Sequence, residues 1–199
     1  MDLCSIDERN VGFYRVDDEL NVQVLEPEDI QANFLRAESA LGPNVPIKLR
    51  ERIAVARNLA AYACFSYEFY AVSILWSVSC MEMGLHIKFA ETHAGPLKLT
   101  NRKLKTSEVA PLSYEVEDRL RRGWRIDGLP NFNFSFKALL DWAQKDKLLP
   151  SEANFKSILG LRNQMAHPSY WNGVQTPGAA IDVFELLIWA VVKLWPSGS

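Results

Sequence analysis

Apolar residues along this chain recur mainly at helical spacing. From Pro27 onward they form one stripe, at Ile30, Phe34, Ala37 and Leu41. This spacing predicts an amphipathic helix. Proline suits the first turn of a helix, and Gly42-Pro43 predicts where it ends.

The next stretch runs from Pro46 to about Phe89 without a strong helix breaker. It is too long for one ordinary helix, so we predict two helices with a kink or short loop between 60 and 68. From Ala61 to Leu85 it is apolar on nearly all sides. That pattern is typical of a helix at the centre of a bundle or in a dimer interface.

Three further helices are predicted in the last third of the chain, over 135–149, 151–166 and 179–194. Ser151 is the expected N-cap of the middle one. Pro168 ends that helix, because the residue before a proline is pushed out of the helical region. The last helix carries an apolar stripe and is expected to close the core.

The first 26 residues are acidic and are predicted to form an arm or a small β-hairpin. Residues 1–35 hold nine acids and two arginines, a net charge of −7. β-forming residues at Val11–Tyr14 and Asn21–Leu25 flank a polar turn, as in a hairpin. The segment is interpreted as a solvated arm or, alternatively, as an acidic flap over a basic site.

Residues 94–134 contain several glycines and prolines, which predicts a loop-rich stretch with a short helix near 113–122. Between 98 and 125 there are eight basic and four acidic residues, a net charge of +4. Basic residues beside Trp124, Phe132 and Phe134 can hold a phosphate backbone and stack bases. The alternative is a solvated connecting segment whose aromatic side chains pack against the end of the helical bundle. The candidate RNA contacts here are Arg102, Lys103, Lys105, Arg121, Arg122 and Arg125.

Composition favours a globular cytoplasmic protein. The chain has 199 residues, a net charge of −2 and 48% hydrophobic residues, so any affinity for nucleic acid must come from a local patch. The three cysteines lack metal-ligand spacing, and Cys64 and Cys80 lie in apolar sequence as buried thiols would. No signal peptide or membrane span is expected, and neither a metal nor a cofactor is predicted.

One short segment carries candidate chemistry, and it lies at a predicted helix end. Arg162, Asn163 and His167 fall within six residues, and Asn163 and His167 are four apart on one helix face. Histidine can transfer protons near neutral pH, and arginine matches phosphate oxygens with two parallel donors. Metal-free cleavage of RNA by its own ribose 2′-hydroxyl needs both proton transfer and a positive charge at the phosphate. The alternative is a histidine that only caps the helix end.

One chain supplies a single histidine in this segment, whereas the reaction needs a base and an acid. Two copies that meet about a two-fold axis would supply both. The chemistry therefore predicts a homodimer with a shared site.

The run Leu159-x-Leu161-Arg162-Asn163-x-x-x-His167, followed by one apolar helix, resembles the HEPN domain family. Upstream, Phe136-x-x-Leu139-Leu140-x-x-Ala143 and then Leu148-Leu149 are also similar to many of its sequences. The likeness covers roughly 27–195 and is close only over the last 60 or so residues. It implies an all-α bundle, usually dimeric and often a metal-independent endoribonuclease of toxin–antitoxin or phage-defence systems. Some members are inactive binding or scaffold domains.

We therefore expect one all-α domain over 1–199, with an up-and-down bundle of about five helices over 27–195. The expected catalytic residues are Arg162, Asn163 and His167. Glu82, a carboxylate within apolar sequence that needs a partner, is expected to support the site, and Tyr170 is a further candidate RNA contact. RNA, a second copy and an antitoxin or regulatory protein are the expected partners. The alternative is an inactive HEPN-like binding or assembly module.

Overall fold

The structure, a computed structural model, describes residues 13–16, 22–25, 27–101, 103–112, 114–129, 132–151, 155–165 and 176–197. Within these ranges the chain forms five strands and seven helices. The strands are β1 (Phe13–Val16), β2 (Val22–Leu25), β3 (Leu97–Asn101), β4 (Thr106–Ala110) and β5 (Arg125–Ile126). The helices are α1 (Pro27–Glu38), α2 (Ile47–Tyr62), α3 (Phe69–Thr92), α4 (Tyr114–Arg121), α5 (Phe136–Lys145), α6 (Phe155–Met165) and α7 (Pro177–Leu194).

The mostly helical character predicted from the sequence is confirmed. The break between 60 and 68 separates α2 from α3, and the short helix near 113–122 is α4. The hairpin is also confirmed, as β1 and β2 pair antiparallel with Phe13 opposite Leu25. Its expected turn lies outside the described residues, as does the acidic arm before residue 13.

The structure is mostly helical, but it departs from the predicted all-α fold of about five helices in two respects. The stretch predicted to be loop-rich contains a three-stranded antiparallel sheet in the order β4-β3-β5, and seven helices are present in the described ranges. The reason is that Leu97, Leu99 and Asn101 alternate with exposed or half-buried residues and bury one face of β3.

The chain divides into two compact units. The first comprises residues 1–81 and 154–199, and the second comprises residues 82–153. The boundary at residue 82 falls within α3. The prediction of one domain over 1–199 stays a prediction.

In the first unit, α1 packs against α2 and α7. The apolar stripe of α1 is buried at Ile30 and Phe34, and the Phe34 ring lies 4.7 Å from that of Phe184 in α7. Gly42 follows α1 and is buried beside Ser197, whose side chain would have to shift to admit a Cβ atom at Gly42. This close approach favours glycine at that position.

Side-chain hydrogen bonds tie α3 to α2 within the first unit. The buried Ser73 hydroxyl donates to the Ala56 carbonyl at 2.9 Å, and Trp76 Nε1 donates to the Arg52 carbonyl at 3.0 Å. The two bonds give a hydrogen-bond acceptor to the Ser73 hydroxyl and to the Trp76 indole N–H, which the packing of α3 against α2 partly or wholly removes from water.

The side chains of Cys64 and Cys80 are buried thiols, as predicted. Burial raises the pKa of Cys80 to about 12, and it also raises the pKa of Cys64. Both groups are therefore neutral thiols at physiological pH, which makes them poor nucleophiles.

In the second unit, the sheet buries one face and exposes the other. Leu99 on β3 lies opposite Ile126 on β5, and both are buried. Strand β4 lies at the sheet edge, and its five residues are exposed or half-buried.

An aromatic cluster around Phe89 forms the core next to the sheet. The Phe89 ring lies 4.5 Å from Phe132, 4.9 Å from Trp142 and 5.3 Å from Phe134. Phe134 has a left-handed backbone with φ 55°, which costs about 1–3 kcal/mol for a non-glycine residue. The surrounding ring contacts offset that cost.

Helix α5 begins and ends at residues with identifiable capping roles. The Ser135 hydroxyl accepts a hydrogen bond from the Ala138 amide at 3.2 Å, as an N-cap does. Lys147 has φ 58°, so the chain leaves the helix through the left-handed region. The helix is therefore shorter than the predicted 135–149.

No helix in the described part of the chain is long and apolar enough to cross a membrane.

We expect Phe184→Ala to lower the free energy of unfolding by about 3–5 kcal/mol, because it leaves a cavity against Phe34. Phe65, which is 52% exposed, is the matched control, and Phe65→Ala should change stability by less than about 0.5 kcal/mol. Urea unfolding followed by circular dichroism measures both. Equal effects of the two substitutions would contradict this description of the core.

Candidate functional site

Arg162 and Asn163 lie in the last turn of α6, and both are exposed. Helix α6 is anchored by Phe155 and Ile158, which are buried. Arg162 follows Ile158 by four residues, so it lies on the same side of the helix one turn later, where its side chain is nevertheless exposed. Arginine in the last turn is also stabilised by the negative end of the helix dipole.

The other motif residue, His167, lies outside the described residues, as do Tyr170 and Arg102. Glu82 is half-buried in α3 and begins the second unit, whereas Arg162 belongs to the first. Its support of the site stays a prediction.

Five of the basic residues predicted to contact RNA are exposed in the second unit. Lys103 and Lys105 lie in the turn between β3 and β4. Arg121 is the last residue of α4, and Arg122 lies in the turn that follows. Arg125 is the first residue of β5. We call these five residues and the exposed Lys98 the basic set.

Strand pairing explains how Arg125 and Lys98 come to the same face of the sheet. Arg125 pairs with Thr100 of β3, and Lys98 lies two residues before Thr100, so all three project from the face opposite Leu99. Lys98 Nζ also lies 3.3 Å from Asp127. The open face therefore carries two cations and one acid.

The turn between β3 and β4 is held by a side chain. Asn101 is only 6% exposed, and its Oδ1 accepts hydrogen bonds from the amides of Lys103 at 3.0 Å and Leu104 at 3.1 Å. Lys105 then adopts φ 52°. The result is a shaped turn that presents Lys103, Leu104 and Lys105 to solvent.

Ion pairs reduce the free charge near α4. Arg119 pairs with Glu108 of β4 and lies 5.7 Å over the Trp124 ring. Arg122 lies 2.8 Å from Asp118. Within the basic set, Arg122 and Lys98 therefore have acidic partners.

Packing, not base stacking, accounts for two of the aromatics near the basic stretch. Phe132 and Phe134 are at most 7% exposed, and both contact Phe89. Their rings are not available to a nucleic-acid base. Trp124 is half-buried beneath Arg119.

Histidines of the second unit take part in the same packing. His86 stacks on Phe134, and His93 stacks on Phe89 at 4.1 Å with Nδ1 3.0 Å from its carbonyl oxygen. Across the described ranges, no three His, Cys, Asp or Glu side chains form a group that could hold a metal ion.

Sequence reasoning missed the sheet, and with it Lys98 and the shaping role of Asn101. The run Leu97-Lys98-Leu99-Thr100-Asn101 alternates apolar and polar residues at its start. This period of two could have predicted a strand.

Comparison of the chain with protein-family models, with curated proteins and with solved structures finds no match.

We expect Asn101→Ala to loosen the turn between β3 and β4, because two backbone amides lose their acceptor. The cost should be about 1–3 kcal/mol, with faster hydrogen exchange at the Lys103 and Leu104 amides. Asn101→Asp keeps the acceptor oxygens and serves as the control. Unchanged exchange in Asn101→Ala would contradict this role.

Proposed function

We propose that this chain is a metal-independent endoribonuclease of the HEPN type that acts in the cytoplasm as a homodimer. The observation that carries the proposal is the exposed Arg162-Asn163 pair in the last turn of α6, which precedes His167 by five and four residues in the sequence. We also propose that the helices of this chain form the up-and-down bundle of the HEPN family.

The reaction follows from the chemistry of these residue types. A base removes the proton of the ribose 2′-hydroxyl, and that oxygen attacks the neighbouring phosphorus. The bond from phosphorus to the 5′ oxygen breaks, and an acid protonates the leaving oxygen. The products are a 2′,3′-cyclic phosphate and a free 5′-hydroxyl.

Each motif residue has a role in this scheme. The His167 imidazole of one copy removes the proton, and that of the other copy supplies one. Arg162 donates two parallel hydrogen bonds to the phosphorane oxygens, where negative charge develops. Asn163 holds the imidazole or a phosphate oxygen.

The exposed side of α6 supports the dimer. Ser157, Gly160 and Asn163 are spaced three apart and are all exposed. A side chain placed at Gly160 would meet no atom of its own chain within 4 Å, so a second backbone can approach closely there. A two-fold axis at this stripe brings both copies of Asn163 together. Arg162 lies about 100° round the helix from Asn163, and its long side chain can reach round to the same opening.

The basic set supports RNA as the substrate. Its open cations can neutralise phosphates, and this contribution to affinity is independent of sequence and sensitive to salt. An uncontrolled ribonuclease would damage its own cell. The proposal therefore includes a toxin or phage-defence role and a regulatory partner such as an antitoxin.

We expect wild-type protein to cleave single-stranded RNA in EDTA and to leave cyclic phosphate ends. Arg162→Ala and His167→Ala should each abolish cleavage, because one removes charge stabilisation and the other removes proton transfer. Gel analysis of end-labelled RNA measures this, and the same strand as DNA, which lacks the 2′-hydroxyl, should survive.

The matched control for Arg162→Ala is Arg36→Ala, which removes an exposed arginine of α1 and should leave cleavage intact. Cleavage retained by His167→Ala, or lost by wild type in EDTA, would overturn the mechanism. No cleavage by any variant would favour the inactive binding or assembly module.

We expect the double substitution Lys103→Ala and Lys105→Ala to weaken binding of single-stranded RNA. The slope of log affinity against log salt should fall by about 0.7 for each phosphate that the protein no longer neutralises. The control is Lys48→Ala with Lys193→Ala, which removes the same charge at exposed positions of α2 and α7. Equal weakening by both pairs, measured by fluorescence anisotropy, would indicate a net-charge effect only.

A further inference from the structure

A cleft of about 290 Å³ opens in the second unit between α5 and the chain that follows β5. One wall consists of Gly128, Leu129 and Phe132. Gly128 has φ 79°, so the turn that forms this wall uses the freedom of glycine. The cleft belongs to the second unit, whereas the Arg162-Asn163 pair lies on α6 of the first.

The second wall is one stripe of α5. Ala138, Asp141, Trp142 and Lys145 line the cleft, and their spacings of three and four place them on one helix face. Ala138 is small, which leaves space beside the Trp142 ring. The two walls thus combine apolar surfaces with a carboxylate and an ammonium group.

Trp142 carries an unmet hydrogen-bonding group at this site. The residue is 3% exposed, and its indole Nε1 is buried with no hydrogen-bond acceptor among the described residues. Buried polar groups in proteins nearly always have a partner. The unmet N–H belongs to a residue that lines the cleft.

Asp141 keeps acceptor capacity at the rim. Its Oδ2 lies 2.5 Å from Lys137 Nζ, and the side chain remains 58% exposed. A carboxylate has about four lone-pair sites, so further donors can be accepted. One turn later, Lys145 is exposed and can meet a negative group.

We propose that this cleft binds a guanine base, with Asp141 accepting from its N1–H and exocyclic amino group. The inference rests on the proposed ribonuclease function, for which it names a preferred base of the substrate. Guanine offers two adjacent donors on one edge. Adenine and cytosine offer a donor beside an acceptor, and uracil offers one donor between two acceptors, so a carboxylate matches guanine best.

The remaining groups fit the rest of a nucleotide. Leu129, Ala138 and the edge of Trp142 supply apolar surface for a purine ring. Lys145 meets the phosphate. Only two residues separate Gly128 from Arg125 of the basic set, so an RNA strand has cations near the cleft.

Calorimetric titration of the full chain with GMP, AMP, CMP and UMP tests the inference. We expect saturable binding of GMP that is about tenfold or more tighter than that of the other three, as for a good bidentate contact. Absence of GMP binding, or equal affinity for all four nucleotides, would overturn the proposal.

Two variants place the base in this cleft. Asp141→Asn should remove the preference for GMP, because an amide offers a donor beside an acceptor. Asp146→Asn, the same charge change at an exposed position just past α5, should keep it. Ala138→Leu should block binding by filling the cleft, with circular dichroism as the check on folding. A preference for GMP that survives both Asp141→Asn and Ala138→Leu would refute this site.

Two further comparisons identify the source of the base and separate this test from that of the nuclease. Tighter binding of a guanosine-containing oligonucleotide than of GMP indicates an RNA strand, and the reverse indicates a free nucleotide; both outcomes support a guanine site. GMP binding should be unchanged in Arg162→Ala. A protein that binds GMP without cleaving RNA refutes only the nuclease, and one that cleaves RNA without binding GMP refutes only the cleft.

Discussion

The burial of α3 is the constraint on which the rest of the structure depends. This helix is apolar on nearly all sides, so water must be excluded from most of its circumference. Its first half is tied to α2 through Ser73 and Trp76. Its second half carries Phe89, around which the aromatic cluster of the second unit assembles. One long apolar helix thus supplies core residues to both units, and every candidate site lies on elements that these cores hold in place.

Local patterns predicted the helices and their ends because those depend on nearby residues. The break between α2 and α3 followed from length alone, and Phe34 and Leu139 were placed inward by their spacing. The sheet was not predicted because β3 is recognised by its partners, β4 and β5, as much as by its own five residues. The end of α5 was set too late because the left-handed conformation at Lys147 has no glycine to mark it.

The candidate site residues also fall into those that local sequence identifies and those that only the fold brings together. Arg162 and Asn163 were identified by residue type and spacing, and both are exposed in the last turn of α6. The cleft could not be predicted, because Leu129 and Trp142 are thirteen positions apart and meet only through folding. The basic set was predicted as a group of charges. Its arrangement required the pairing of Arg125 with Thr100 and the hydrogen bonds of Asn101.

The edge position of β4 has a consequence for the behaviour of the protein at high concentration. An exposed edge strand can template pairing with strands of other molecules, which leads to aggregation. Val109 is 66% exposed on this strand and would favour such pairing. Glu108 lies beside it, and two β4 strands aligned antiparallel about Glu108 would bring two carboxylates face to face. The ion pair with Arg119 therefore also keeps in place a charge that protects the edge against self-association.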